Sequence, residues 1–185
     1  MQESWSACRA TRRVLVIDRK YTKSRRGLTS STTQQYCCVV LPPIDPVTGN
    51  LPPGVHESSW TELEAAFGRT QWRRQLLAGL RAALEALRAA GCRRAYVDGS
   101  FVTAKEVPGD FDGCWEAQGV DPAALDPVLL DFRHPRTAQK AKFGGEMFIA
   151  NSSAAPDGRF LEFFQIDKNT GDAKGIVAID LGALR

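Results

Sequence analysis

The sequence predicts an α+β domain with helices packed mainly on one face of a mixed β-sheet, and three observations predict it. An apolar stripe recurs every three or four residues from Trp72 to Leu87, the mark of one long amphipathic helix. A short apolar run, Arg94-Ala-Tyr-Val97, follows it directly. Beyond residue 140, apolar runs of strand length alternate with polar turns.

The chain has 185 residues, room for one ordinary domain and its appendages. Hydrophobic residues at 43% and charged residues at 24% exclude wholesale disorder. The longest aliphatic runs, such as Val14 to Ile17, are too short for a bilayer span or a signal-peptide core, so a cytoplasmic protein with no membrane partner is expected. The net charge of +3 is unevenly spread. Residues 1–30 hold eight Lys/Arg against Glu3 and Asp18, while the remaining 155 residues carry 16 basic and 19 acidic groups. A basic arm, residues 1–36, thus precedes a mildly acidic body, and such an arm suits nucleic acid or plain solvation. Five cysteines and two histidines show no zinc-ligand spacing, and reduced thiols are expected.

Five prolines between Leu41 and Gly54 predict a stiff connector, so residues 37–57 are expected as a linker and residues 58–185 as the folded domain. Ser59-Trp-Thr-Glu62 reads as a capping box that opens a helix ending at Phe67-Gly68. The Trp72–Leu87 stripe faces the core, Gly91 ends that helix, and Arg73, Arg74, Arg81 and Arg88 are expected on its solvent side. Lys142 to Ala150 and Phe160 to Gln165 read as strands joined by a polar turn, with a last strand at Gly175 to Ile179. Asp121-Pro and Asp126-Pro mark helical starts ahead of these strands, around Val128 to Phe132.

The chemistry concentrates in Val97-Asp-Gly-Ser100 and Gly109-Asp-Phe-Asp112. Asp110 and Asp112 are two apart, so on an extended segment their carboxylates share a face, where they repel unless a cation joins them. Hard oxygen ligands suit Mg²⁺. Gly99 permits close backbone approach to a phosphate and Ser100 adds a hydroxyl.

In this order and spacing these residues resemble the nucleotidyltransferase superfamily, the fold of DNA polymerase beta and the minimal nucleotidyltransferases. The stretch from Ser58 to Leu181 looks like a small bacterial branch of it. The resemblance implies two Mg²⁺ ions held by Asp110, Asp112 and a third acid on a later strand. Glu162 in Phe160-Leu-Glu-Phe-Phe164 is expected to be that acid, with Asp131 as its competitor. Gly99, Ser100 and Lys105 would position the triphosphate of an NTP, and Lys140 and Lys142, which precede the expected hairpin, would either reach an acceptor or phosphate or lie on the surface. Trp115 and Phe143 are expected in the core, with stacking on a nucleotide base as the alternative.

Asp98 and Gly113 depart from the hydrophobic residues usual in the family beside Gly-Ser and after the second Asp. The implied activity is transfer of a nucleotide to a hydroxyl of RNA or protein, in the manner of small toxin–antitoxin or defence enzymes that work with a cognate antitoxin or regulator. The alternative is a catalytically silent module whose basic arm holds nucleic acid. A small-molecule nucleotidylating enzyme ranks last, since no second domain offers itself to hold such an acceptor.

Overall fold

The computed structural model describes residues 41–155 and 158–185, so the basic arm lies outside the described residues. The described elements are, in chain order, β1 (Gly54–Ser58), α1 (Trp60–Phe67), α2 (Gln71–Ala89), β2 (Arg94–Asp98), β3 (Phe111–Trp115), α3 (Thr137–Phe143), β4 (Gly145–Ile149), β5 (Ser153–Ala155), β6 (Gly158–Arg159), α4 (Phe160–Phe163) and β7 (Gly175–Asp180). Five strands form one mixed sheet in the order β1-β7-β2-β3-β4. The outer pairs β1–β7 and β3–β4 are parallel, and β2 runs antiparallel to both of its neighbours. The expected α+β class with a mixed sheet is therefore what the chain forms. No helix among the described residues is long and apolar enough to cross a membrane.

Strand alternation divides the apolar residues between the two faces of the sheet. Ala95, Val97, Phe111, Trp115, Met147 and Val177 turn toward the main core, which α1 and α2 close with Leu63, Phe67, Leu80 and Leu84. The intervening residues Tyr96, Cys114, Phe148, Ile176 and Ala178 turn the other way and meet Phe164 and Phe160 of the α4 segment. Trp115 and Phe143 are both core residues, as expected.

The capping box at Ser59 and Glu62 forms as its sequence predicts. Thr70 caps α2, whose Leu76, Leu80, Leu84 and Leu87 are fully buried or nearly so. Two residues of α2 depart from their expected places. Trp72 sits part-exposed at the helix start and donates its indole N–H to the carbonyl of Pro108 at 2.6 Å. Arg73, expected in solvent, is 0% exposed. Its guanidinium donates to the carbonyls of Phe67, Phe101, Thr103 and Lys105 at 2.6–3.1 Å. Five donors in a planar fork allow one side chain to satisfy several loop carbonyls that the sheet cannot reach.

The proline-rich segment belongs to the folded body. Asp45 accepts the amides of Val47 and Thr48 in a turn, Leu51 is buried, and Gly175 donates its amide to the Leu51 carbonyl. Prolines remove donors but leave carbonyls and apolar rings, which is what a segment leading into an edge strand can tolerate.

Two expected strands are replaced in whole or part by helix. Thr137–Phe143 is α3, and β4 begins only after Gly144, which takes the left-handed conformation that ends the helix. Phe160–Phe163 is α4. Phe160 and Phe164 lie four apart, a spacing that places both rings against Phe148 on a helix and could not do so on a strand.

The α2–α3 crossing has no tolerance for a side chain at Gly79, because a Cβ there would lie 1.8 Å from the Phe143 carbonyl oxygen. Alanine favours a helix interior by about 1 kcal/mol over glycine, whereas overpacking costs about 1–3 kcal/mol. Because the clash is with backbone, Gly79→Ala is expected at the upper end of that range, destabilising the chain by about 2 kcal/mol net, read as a lowered urea midpoint. Arg73→Met is expected to cost more, about 3 kcal/mol or above, since buried carbonyls lose charged donors. Arg73→Lys should recover little of it in the same assay.

Candidate functional site

Three carboxylates stand in one row across three neighbouring strands. The β2–β3 register sets Asp98 opposite Asp112, and the β3–β4 register sets Asp112 opposite Glu146. Alternation puts all three on the face shared by Tyr96, Cys114 and Phe148. Asp110 lies just before β3, two residues from Asp112, at the same end of the sheet. Sequence reasoning had named Asp110 and Asp112 but missed Glu146 and the inward role of Asp98.

Cations compensate most of this charge. Lys174, at the entry to β7, donates to both oxygens of Asp98 at 2.7 and 2.9 Å, with Asp98 buried and Lys174 largely so. The short helix α3 supplies the others. Arg136 Nε lies 3.1 Å from Glu146 Oε1, and Lys140 Nζ lies 2.8 Å from Asp110 Oδ2 and 3.4 Å from Glu146 Oε1. Arg136 is the left-handed residue (φ +54°) at the start of α3 and Lys140 lies within the helix, and both reach the same strand end. Between them Gln139 accepts the outward amide of Met147 at 2.8 Å and thereby closes the sheet edge at β4. The Arg136 guanidinium also lies 4.9 Å over the Phe148 ring. Lys142 points elsewhere and pairs with Asp126.

Asp112, the middle of the row, has no ion-pair partner among the described residues. Burial, then the charges of Asp110, Asp98 and Glu146, push its carboxyl up to about 6, against a smaller opposing effect of Lys140. Gly99 packs on this carboxylate. Its φ is +79°, and a Cβ would lie 2.5 Å from Asp112 Oδ2, so the position admits only glycine. Ser100 follows and opens a single 3-10 turn over Ser100–Val102, with its carbonyl accepting from the Thr103 hydroxyl.

Gly99, Ser100, Asp110 and Asp112 are thus brought to one sheet end. Lys105 lies on the exposed loop between them, its carbonyl held by Arg73 and its amide by Thr103. The two expected third acids lie elsewhere. Glu162 is exposed on α4 and accepts the backbone amide of Arg159, because helix formation turns it away from the row. Asp131 follows a 3-10 turn and forms a two-pronged pair with Arg133 that holds its carboxyl down at about 2. The signal for Glu146 was present: it is the sole acid in the apolar run Gly145 to Ala150, on the strand that follows Asp-x-Asp.

As the side chains stand, no group of three His, Cys, Asp or Glu among the described residues could hold a metal ion. The donor chemistry nonetheless suits Mg²⁺, since Asp110, Asp112 and Glu146 are hard oxygen donors on adjacent strand ends. Cys92 and Cys114, which would suit softer metals, are buried apart from one another on opposite faces of the sheet.

The fold and the row define an α+β domain with an acidic strand-end site. Residues 42–180 match the profile of a family of unknown function (DUF6932), and the chain belongs to that family. The chain matches no curated protein and no solved structure.

Removing one member of the buried Asp98–Lys174 pair strands a charge. Lys174→Met is expected to cost about 3–5 kcal/mol, and Asp98→Leu/Lys174→Met to recover most of that, both read by denaturant unfolding. Asp112 gives a pH signature. Its folded carboxyl binds a proton more tightly than the unfolded one, whose ordinary value is 3.8. The associated stability is full below the unfolded value and is lost as pH rises through about 6. Asp112→Asn should therefore be more stable than the parent by about 1–3 kcal/mol at neutral pH, with the difference vanishing near pH 4.

Proposed function

We propose that this chain is a Mg²⁺-dependent nucleotidyltransferase with a polymerase-beta-like sheet, moving a nucleotide from an NTP to a hydroxyl of RNA or protein. The observation that carries the reading is the register of Asp112 against Glu146, with Asp110 two residues before Asp112 and Gly99 packed on the Asp112 carboxylate. Gly-Ser after a strand, then Asp-x-Asp, then a third acid on a later strand are the parts the resemblance calls for, and here β3 runs antiparallel to β2 and parallel to β4. Glu146 takes the place first expected of Glu162.

In this reading Asp110, Asp112 and Glu146 hold the metal. When bound, Mg²⁺ supplies charge neutralisation on the triphosphate and a lowered pKa for the attacking hydroxyl. The bare backbone of Gly99 lets phosphate oxygens approach, Ser100 offers a hydroxyl donor, and Lys105 adds a positive charge at the loop. The loop itself is pre-positioned. Arg73 grips the carbonyls of Phe101, Thr103 and Lys105, and Trp72 that of Pro108, so the connection from Ser100 to Asp110 is anchored along its length. The toxin–antitoxin setting and a cognate regulator rest on the resemblance alone.

One observation favours the silent alternative. Lys174, Lys140 and Arg136 neutralise much of the acidic row, so the cluster is stable without a metal. The site would then be a charge network at a strand end, and nucleic-acid binding would be left to the basic arm.

The two separate on incubation of the full chain with each α-³²P-labelled NTP, Mg²⁺, total RNA and lysate protein. Transfer is expected for the parent and for Glu162→Gln. Asp110→Ala/Asp112→Ala and Glu146→Gln should each lose it by about 100-fold or more, since even outer partners of metal ligands cost 10–100-fold. A folded protein that transfers no label and binds no Mg²⁺-NTP overturns the reading.

A further inference from the structure

Of the three cations around the acidic row, Lys140 alone touches two carboxylates, Asp110 and Glu146, which come from different strand ends. It is also the most exposed of them, at 44% against 23% for Arg136 and 12% for Lys174. The other two are fixed. Lys174 places both of its hydrogen bonds on one buried carboxylate, and the Arg136 guanidinium is stacked on Phe148. The helix that carries Lys140 is seated without it, by Gln139 on the Met147 amide and by Phe143 in the core. The lysine stem can therefore leave the carboxylates without disturbing α3.

We propose that Lys140 is an exchangeable counter-cation: it bridges Asp110 and Glu146 in the free protein, is expelled when a divalent ion takes those two carboxylates, and then binds the polyphosphate of the incoming nucleotide. The inference rests on the metal-dependent reading above. An ammonium and a divalent ion repel too strongly to share the same pair of oxygens. Once displaced, the ammonium is still tethered within a side-chain length of the ion. There an anionic polyphosphate can accept its hydrogen bonds and offset its charge. The metal alone thus binds against competition from the protein's own lysine, whereas metal with nucleotide binds with its help. The two ligands are coupled through one side chain.

That double role gives effects of opposite sign. In the full-length Lys140→Met protein, Mn²⁺ alone, followed by electron paramagnetic resonance titration, should bind about three- to tenfold tighter than in the parent. The α,β-methylene analogues of the four NTPs, titrated calorimetrically with Mn²⁺ present, should show a best-bound member whose affinity falls about tenfold. Lys140→Arg should stay close to the parent in both titrations. Lys142→Met, on the same helix but paired with Asp126, should change neither. Thermal unfolding checks that each variant is folded.

Unchanged or weaker Mn²⁺ binding by Lys140→Met, in a series where the parent binds Mn²⁺, overturns the exchange and leaves the metal-dependent reading standing. Tighter Mn²⁺ with unaltered nucleotide affinity overturns the transfer to phosphate. A parent that binds neither Mn²⁺ nor any analogue overturns the reading and the exchange together.

Discussion

Mutual repulsion along the row Asp98–Asp112–Glu146 is the constraint around which this end of the molecule is built. Neighbouring strands lie about 4.8 Å apart, and two like charges at that distance cost about 3 kcal/mol in a half-buried setting. The register leaves no escape, because the apolar residues that alternate with these acids are committed to the main core. Compensation has to come from outside the three strands. Lys174 brings it from the turn before β7, and Arg136 and Lys140 bring it from the helix before β4. The same elements place β7 against β2 and close the edge at β4, so charge balance and sheet assembly are one requirement.

The helical side of the sheet is tied to the acidic side through the connection from Ser100 to Asp110. That segment crosses from β2 to β3 with little secondary structure of its own, and its carbonyls would be costly to leave unmet under α2. Arg73 meets several of them from within the core, and Trp72 adds a bond near Gly109. At its two ends the connection is held by Gly99 against the Asp112 carboxylate and by Lys140 on Asp110. A loop so fixed keeps Gly99, Ser100 and Asp110 in a constant relation to β3, which is the pre-organisation a phosphate-handling site needs.

The parts legible in the sequence are those with strong local signals. The capping box at Ser59, the stripe of α2, the strand into Gly99 and the closing strand β7 all form where their patterns place them. Asp110 and Asp112 were legible because two acids two apart stand out against an apolar background. The misplacements share a physical cause. Phe160-Leu-Glu-Phe-Phe164 satisfies a strand pattern and a helix pattern alike, and only the Phe148 ring beneath it selects the helix. Arg73 looked like a solvent-face arginine because helical periodicity cannot announce a set of loop carbonyls 28 or more residues away in the chain. Glu146 hid within a run read for its apolar residues, and its partnership with Asp112 depends on a parallel pairing that no local pattern encodes.

A purely structural account of the acidic end explains three of its four carboxylates. Asp98 answers Lys174, Asp110 answers Lys140, and Glu146 answers Arg136 and Lys140. Asp112 answers none. Burial and the charges of Asp110, Asp98 and Glu146 push its carboxyl up to about 6, at the middle of the row. A carboxylate that served structure alone could be replaced there by a neutral side chain with a gain in stability. In the metal-dependent reading, this unpartnered carboxylate beside the bare backbone of Gly99 is the one a cation would neutralise. The absence of an ion-pair partner for Asp112 among the described residues is the geometric feature that supports the proposed metal-dependent reading.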